Sequence, residues 1–244
     1  RAILYEYRKQ YDKALADHNR AIELDPDDPD NFYNRGDLFH NLEQYEKALA
    51  DYNKTIELDP DDPDNYFNRA VLYDDRKQYD KALAEYNKTI ELEPDDPHLY
   101  SFRAVVYEQL DQLNKALTDY SKTIELDTNI AAFYVDRANL YRKLKKNNEA
   151  LADYSKAIEL DPDNPRPYKR RGYLYYDELK QNSEALADYN KAIELEPDDP
   201  DAYYYRSKIY RQADQFKALA DCNKAIELGP EYPLFYNERG YFYN

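Results

Sequence analysis

Tryptophan and methionine are missing from this chain of 244 residues, glycine occurs four times and cysteine once. Four glycines cannot supply a phosphate-cradling loop as well as a set of tight hairpins, which argues against a Gly-rich nucleotide site. The single thiol, Cys222, excludes an internal disulfide and a thiolate-rich metal centre, and it fixes no compartment. Positive charge is in deficit: 34 Lys and Arg face 50 Asp and Glu, a formal net charge of −16. Nucleic-acid affinity comes mainly from neutralising phosphates, so nucleic acid is not an expected partner. No apolar run approaches ~18 residues, so no membrane partner is expected either. With no initiator before Arg1, the sequence reads as an excerpt or a processed chain.

What is present is repetition. Hydrophobic residues make up 42% of the chain, 29 residues are tyrosine, and one block recurs: Lys13-Ala14-Leu15, Lys47-Ala48-Leu49, Lys81-Ala82-Leu83 and Lys115-Ala116-Leu117. It continues at Glu149-Ala150-Leu151, Glu184-Ala185-Leu186 and Lys217-Ala218-Leu219, with alanine-to-alanine steps of 34, 34, 34, 34, 35 and 33. After each block come Ile-Glu-Leu and an acidic turn such as Asp59-Pro60-Asp61-Asp62-Pro63. An aromatic segment with an Arg-small pair then closes the unit. Each unit predicts two helices. Tyr66, Ala70 and Tyr73 share a face of the first, and Ala82, Tyr86 and Thr89 share a face of the second. Pro29, Pro63, Pro97, Pro165 and Pro200 suit the first helical turn, with Asp28, Asp62, Asp96 and Asp199 as N-caps. Small residues recur in one column (Gly36, Ala70, Ala104, Ala138, Gly172, Ser207, Gly240), so two helices can approach closely.

Tyr66, Ala70, Tyr73, Ala82, Tyr86 and Pro94 together resemble a tetratricopeptide repeat (TPR), and the resemblance covers essentially the whole chain. The sequence departs from the family in using Tyr or Phe where Trp is common. It also has Arg35, Arg69, Arg103, Arg137, Arg171, Arg206 and Arg239 where Leu is usual. The fold implied is all-α, an α-solenoid of stacked antiparallel helix pairs whose first helices line a groove. The expected organisation is a single array over 1–244. It comprises a partial helix 1–9 with a second helix 10–25, repeats 29–60, 63–94, 97–128, 131–162, 165–197 and 200–230, and a partial first helix 233–244. Three junctions break the pattern: Asp127–Ala131 lacks both prolines and is a hinge candidate, the Tyr175–Asn182 turn has one extra residue, and Gln215-Phe216-Lys217 lacks one.

Little here points to catalysis. Calcium loops need oxygens converging from a sharp turn, whereas the Asp-Pro-Asp-Asp-Pro acids recur in the junctions as helix caps. His18, His40 and His98 fall in three different columns without metal-ligand spacing, so no metal, cofactor or enzymatic activity is expected. The arginine column and the acids Asp17, Asp51, Glu85, Asp119, Asp153, Asp188 and Asp221 occur in nearly every unit. They are therefore expected to form an ion-pair ladder between helices. Asn53-Lys54-Thr55 and Asn87-Lys88-Thr89 match the glycosylation pattern but read as mid-helix variants of Asn190-Lys191-Ala192.

Function should therefore lie on the groove face, where the expected ligand-contacting residues are Tyr33, Asp37, His40, Phe67, Val71, Asp74 and Val105, then Asn139, Arg142, Lys169, Arg170, Tyr173, Tyr204, Lys208 and Arg211. Large apolar residues on a solvated face mark interaction sites, and the charge along this face turns from acidic to basic. The partner expected is a protein or peptide segment, extended or helical, with its basic part over the early units and its acidic part over the later ones. The Lys/Asn pair with which some family members grip a C-terminal carboxylate is not present, since Tyr173 follows Lys169 and Val135 precedes Asn139. A second expectation is structural. Ile3, Leu4, Tyr5, Leu234, Phe235, Tyr236 and Phe242 would expose repeat-interior surface, allowing end-to-end homo-association into a filament.

Overall fold

The computed structural model describes residues 2, 5 and 9–242. Among them are fourteen α-helices and no strand. The chain divides into two compact units, 1–126 and 127–244. The first holds α1 (Tyr11–Leu24), α2 (Pro29–Asn41), α3 (Tyr45–Leu58), α4 (Pro63–Asp75), α5 (Tyr79–Leu92), α6 (Pro97–Gln109) and α7 (Leu113–Leu126). In the second lie α8 (Ala131–Lys143), α9 (Asn147–Leu160), α10 (Pro165–Tyr173), α11 (Asn182–Leu195), α12 (Pro200–Ala213), α13 (Gln215–Leu228) and α14 (Pro233–Gly240). Within each unit every helix packs on the next, giving antiparallel pairs joined by short turns.

The first helices begin as their sequence dictates. Asp28, Asp62, Asp96 and Asp199 cap α2, α4, α6 and α12 by accepting from the amide two residues on, at 2.8–3.1 Å, with proline at the next position. Asn164 caps α10 in the same way, at 3.0 Å. The junction without prolines falls where the two units meet in sequence, and Ile130, which precedes α8, supplies no side-chain cap.

Turns within a pair use a left-handed residue. Lys9, Glu43, Lys77, Asp111, Lys145 and Lys180 have φ of 55–60°, a conformation in which glycine would be unstrained. Two amides close the turns at Glu43, Lys77, Asp111 and Lys145, as where Glu43 donates to His40 O and Gln44 to Phe39 O, both at 2.8 Å. The extra residue of the Tyr175–Asn182 turn is absorbed by a π-helical segment, Leu174–Glu178, running on from α10. At the shortened turn the left-handed residue is gone, and Asp214 ends α12 while capping α13 through Lys217 N at 3.1 Å. Phe216 is left pointing outward, 90% exposed.

The arginine ladder is present and does two jobs. Arg35–Asp51, Arg69–Glu85, Arg103–Asp119, Arg137–Asp153, Arg171–Asp188 and Arg206–Asp221 form ion pairs at 2.7–2.8 Å across each helix pair. The same guanidinium reaches back to the preceding second helix: Arg35 to Asn19, Arg69 to Asn53, Arg103 to Asn87, Arg171 to Ser155 and Arg206 to Asn190, at 2.6–2.9 Å. Each of these five rungs thus ties one repeat to the next, and Asn53 and Asn87 are engaged in two of them. Rings flank the cation, as where Arg103 lies 5.5 Å from the Tyr100 ring and 5.9 Å from that of Tyr107. The Tyr66 column has a further use. Tyr66, Tyr100, Tyr168, Tyr203 and Tyr236 donate to the carbonyls of Pro60, Pro94, Pro162, Pro197 and Pro230, pinning the inter-repeat turn.

Second-helix tyrosines fill the core beside the small residues. A Cβ on Gly36 would sit 3.0 Å from the Tyr52 ring. His18 and Cys222 occupy the same column and are buried. Tyr120 donates to Glu108 at 2.8 Å and Tyr154 to Asn139 at 2.7 Å, but the buried Tyr189 hydroxyl finds no acceptor among the described residues. A buried unpaired hydroxyl is a standing cost. Tyr189→Phe is therefore expected to stabilise the chain by about 1 kcal/mol, and Tyr154→Phe to destabilise it by a similar amount. Urea unfolding followed by circular dichroism checks both, and equal effects at the two positions would contradict the assignment.

Candidate functional site

The first-helix face of each unit carries the residues expected to bind, and the two faces differ in chemistry. In the first unit, α2, α4 and α6 present them. His40 Nε2 lies 2.8 Å from Asp75, joining α2 to α4, and the Phe67 and Phe102 rings meet edge to face at 5.1 Å, joining α4 to α6. Phe102 also stacks on the buried Tyr86 at 6.3 Å. Phe102 is 44% and Val105 41% exposed, while Tyr33, Phe67 and Val71 are half-buried. Around them lie Asp37, Asp74, Asp75 and Glu108. Burial, and next to it Asp75, raises the Asp74 carboxyl above its ordinary pKa, the signature of a carboxylate without a compensating cation.

In the second unit α8, α10 and α12 do the same with opposite charge. Arg142, Arg166, Lys169, Arg170, Tyr173, Asp201 and Tyr205 line a cavity of about 520 Å³. The Arg142 guanidinium lies 5.1 Å over the Tyr173 ring, Tyr173 meets Tyr205 at 5.3 Å, and Tyr205 stacks on Tyr189 at 5.9 Å. Tyr173 donates to Asp177 at 3.0 Å, and burial followed by that bond raises its phenol above the ordinary pKa.

Several expected contacts are otherwise employed. Tyr204 is not a groove anchor: it is 4% exposed, packed against Phe235 at 5.3 Å, because α14 covers that side of α12. Lys169 pairs with Asp199 and, at 3.6 Å, with Glu196. Arg211 pairs with Glu238 at 3.1 Å, Lys208 lies 5.1 Å over the Tyr204 ring, and Asn139 braces Tyr154. Of the residues expected to form exposed ends, Ile3 and Leu4 lie outside the described residues. Phe235 is a correction, since it is 2% exposed in the core with Tyr204 and Ala225. Leu234 and Tyr236 are exposed, whereas Tyr5 and Phe242 are half-buried. Phe102 and Tyr205 lie outside the residues that the helical spacing predicts for the groove. They share a column that is Asn34, Asn68, Asp136, Arg170 and Glu238 elsewhere, so only unit-by-unit reading of that column finds them.

Comparison with known proteins agrees with this architecture. Tetratricopeptide repeat models match residues 2–73 and 41–106, and a TPR repeat model matches 138–177 and 178–214. The C-terminal part of a TPR repeat-containing protein from Cytophaga hutchinsonii superposes with a TM-score of 0.77 at 17% identity, covering 97% of each chain. A tetratricopeptide repeat protein from Parabacteroides merdae gives 0.69 at 21% identity, covering 100% of this chain and 96% of its own. YrrB, described as a TPR protein with an unusual peptide-binding site, gives 0.60 at 24% identity over 78% of this chain and 97% of its own. No curated protein matches the chain in sequence.

Proposed function

The chain belongs to the tetratricopeptide repeat family, and from that premise we propose that it is a non-catalytic scaffold whose first-helix faces bind peptide segments of partner proteins. The observation that carries this reading is the exposure of Phe102 and Val105 beside Phe67, a patch of large apolar side chains on an otherwise polar surface. The peptide-binding site of YrrB supports the same class of ligand. Charge sets the preference of each face. Asp37, Asp74 and Asp75 favour Lys or Arg next to an apolar residue on the first unit, and the cationic cavity favours acidic residues on the second. Apolar contact supplies most of the affinity, and charge supplies orientation and association rate.

The test is a peptide-array screen followed by titration. A first-unit ligand should bind Phe102→Ala or Val105→Ala at least tenfold more weakly than the parent, with helix content retained in both. Asp74→Asn should matter chiefly at low salt, where screening is weak. Ligands indifferent to all three substitutions would place binding elsewhere.

A further inference from the structure

We infer that the cavity of the second unit is a reader of a single acidic side chain, with Arg142 and Arg170 as its specificity-determining residues and Tyr173 and Tyr205 as its floor. This rests on the peptide-scaffold reading and assigns the ligand's chemistry. Counting the charges decides it. Four cations line the cavity, but two are already engaged: Lys169 with Asp199 and Glu196, and Arg166 with Asp136 at 3.4 Å. Arg142 and Arg170 form no ion pair with any described residue, and the lining contributes one carboxylate, Asp201. Counted with the carboxylates that engage Lys169 and Arg166, the site is already balanced: four cations against Asp201, Asp199, Glu196 and Asp136. A single carboxylate can engage the two unpaired guanidinium groups, whereas a phosphoryl dianion sets a second negative charge against those acids.

Geometry points the same way. The Arg142 guanidinium lies over the Tyr173 ring, and its Nε is buried without a hydrogen-bond partner. A guanidinium with an unused N–H suits the planar fork of a carboxylate. Its position on the aromatic stack costs little further ordering when the ligand arrives. Arg170 is exposed on the rim and can close from the other side. Burial and the neighbouring Asp199 already raise the Asp201 carboxyl above its ordinary pKa, with Lys169 and Arg170 opposing that rise. The stem of the bound acid and a flanking apolar residue would rest on Tyr205, whose ring is backed by Tyr189.

The test titrates the full chain with the acetylated, amidated pentapeptide Ser-Tyr-Glu-Tyr-Ser, its Gln and phosphoserine counterparts in place of Glu, and Ser-Tyr-Lys-Tyr-Ser as a probe of the first unit. The Glu peptide should bind at least tenfold tighter than the Gln peptide and no weaker than the phosphoserine peptide, despite its blocked C-terminus. Arg142→Lys, which keeps the charge and removes the fork, and Arg170→Gln should each lose at least tenfold, while Lys169→Gln loses less than threefold. All three should leave binding of the Lys peptide unchanged, which separates loss of the reader from loss of the fold. A phosphoserine peptide that binds several-fold tighter, or equal losses from Lys169→Gln and Arg142→Lys, would overturn the assignment. Binding of the Lys peptide with no binding of the Glu peptide defeats this inference alone, and failure of both peptides defeats the scaffold reading as well.

Discussion

Arg103→Ala is expected to destabilise the chain by about 3–5 kcal/mol, because it strands a carboxylate rather than because it removes an attraction. The Asp119 side chain is 6% exposed and makes its bidentate contacts, both 2.8 Å, with Arg103 alone. Without the arginine it keeps its burial and loses its compensation. The same substitution cuts the bond to Asn87 in the preceding repeat, so neighbouring repeats should also come apart less cooperatively. Replacing both members, as in Arg103→Leu with Asp119→Leu, should recover most of the loss, since an apolar pair of similar volume has no charge to desolvate. Lys122→Ala, which removes an exposed i,i+3 pair with Glu125, should have no measurable effect. Urea unfolding of the three variants measures this. A double variant as unstable as Arg103→Ala would mean that the rung contributes through its own attraction.

Alkali should unfold this protein in one steep step between about pH 10 and 12. Burial raises the phenols of Tyr52, Tyr86, Tyr154 and Tyr189 above their ordinary value. A group whose pKa is raised on folding contributes stability that is complete below the unfolded pKa, about 10 for tyrosine, and is lost as pH rises toward the folded value. Each such phenol tilts the balance by about 1.4 kcal/mol per pH unit in that window. Four together remove up to about 6 kcal/mol per unit, enough to exhaust an ordinary stability of 5–15 kcal/mol within a few units. The guanidinium groups keep their charge there, so the rungs are not what fails. Phenolate absorbance and helix content should change together, and Tyr52→Phe with Tyr86→Phe should move the step to higher pH. A gradual phenolate titration with helices intact to pH 12 would show that these rings ionise in place.

How much of this could be read beforehand follows from what each residue depends on. Caps, turn prolines, the small column and the arginine rungs depend on neighbours fixed by the repeat, so they are legible at a 34-residue period. Residues on the binding faces depend on what the next unit places against them. Tyr204 and Phe67 occupy one column, yet Tyr204 is buried with the Phe235 ring of α14 against it, whereas the ring that meets Phe67 from the next first helix is the exposed Phe102, in a different column. Lys169 is engaged by Asp199 thirty residues away, a pairing that no helical spacing announces. The change of charge sign between the faces was visible in composition, but which cations remain unpaired was not.

The rungs keep their partners at three different sequence separations: 16 residues in four cases, 17 for Arg171–Asp188 and 15 for Arg206–Asp221. The ion pair sets where the second helix sits, and the turn between the helices adjusts to it. One residue too many is taken up by a π-helical turn, and one too few by the loss of a left-handed residue. For anyone building on this chain, the tip of a helix pair is thus a natural port. Foreign loops grafted at Lys77 or Lys145 would inherit an anchored frame, while grafts into the proline turns would have to displace the tyrosine clasps that hold successive repeats in step.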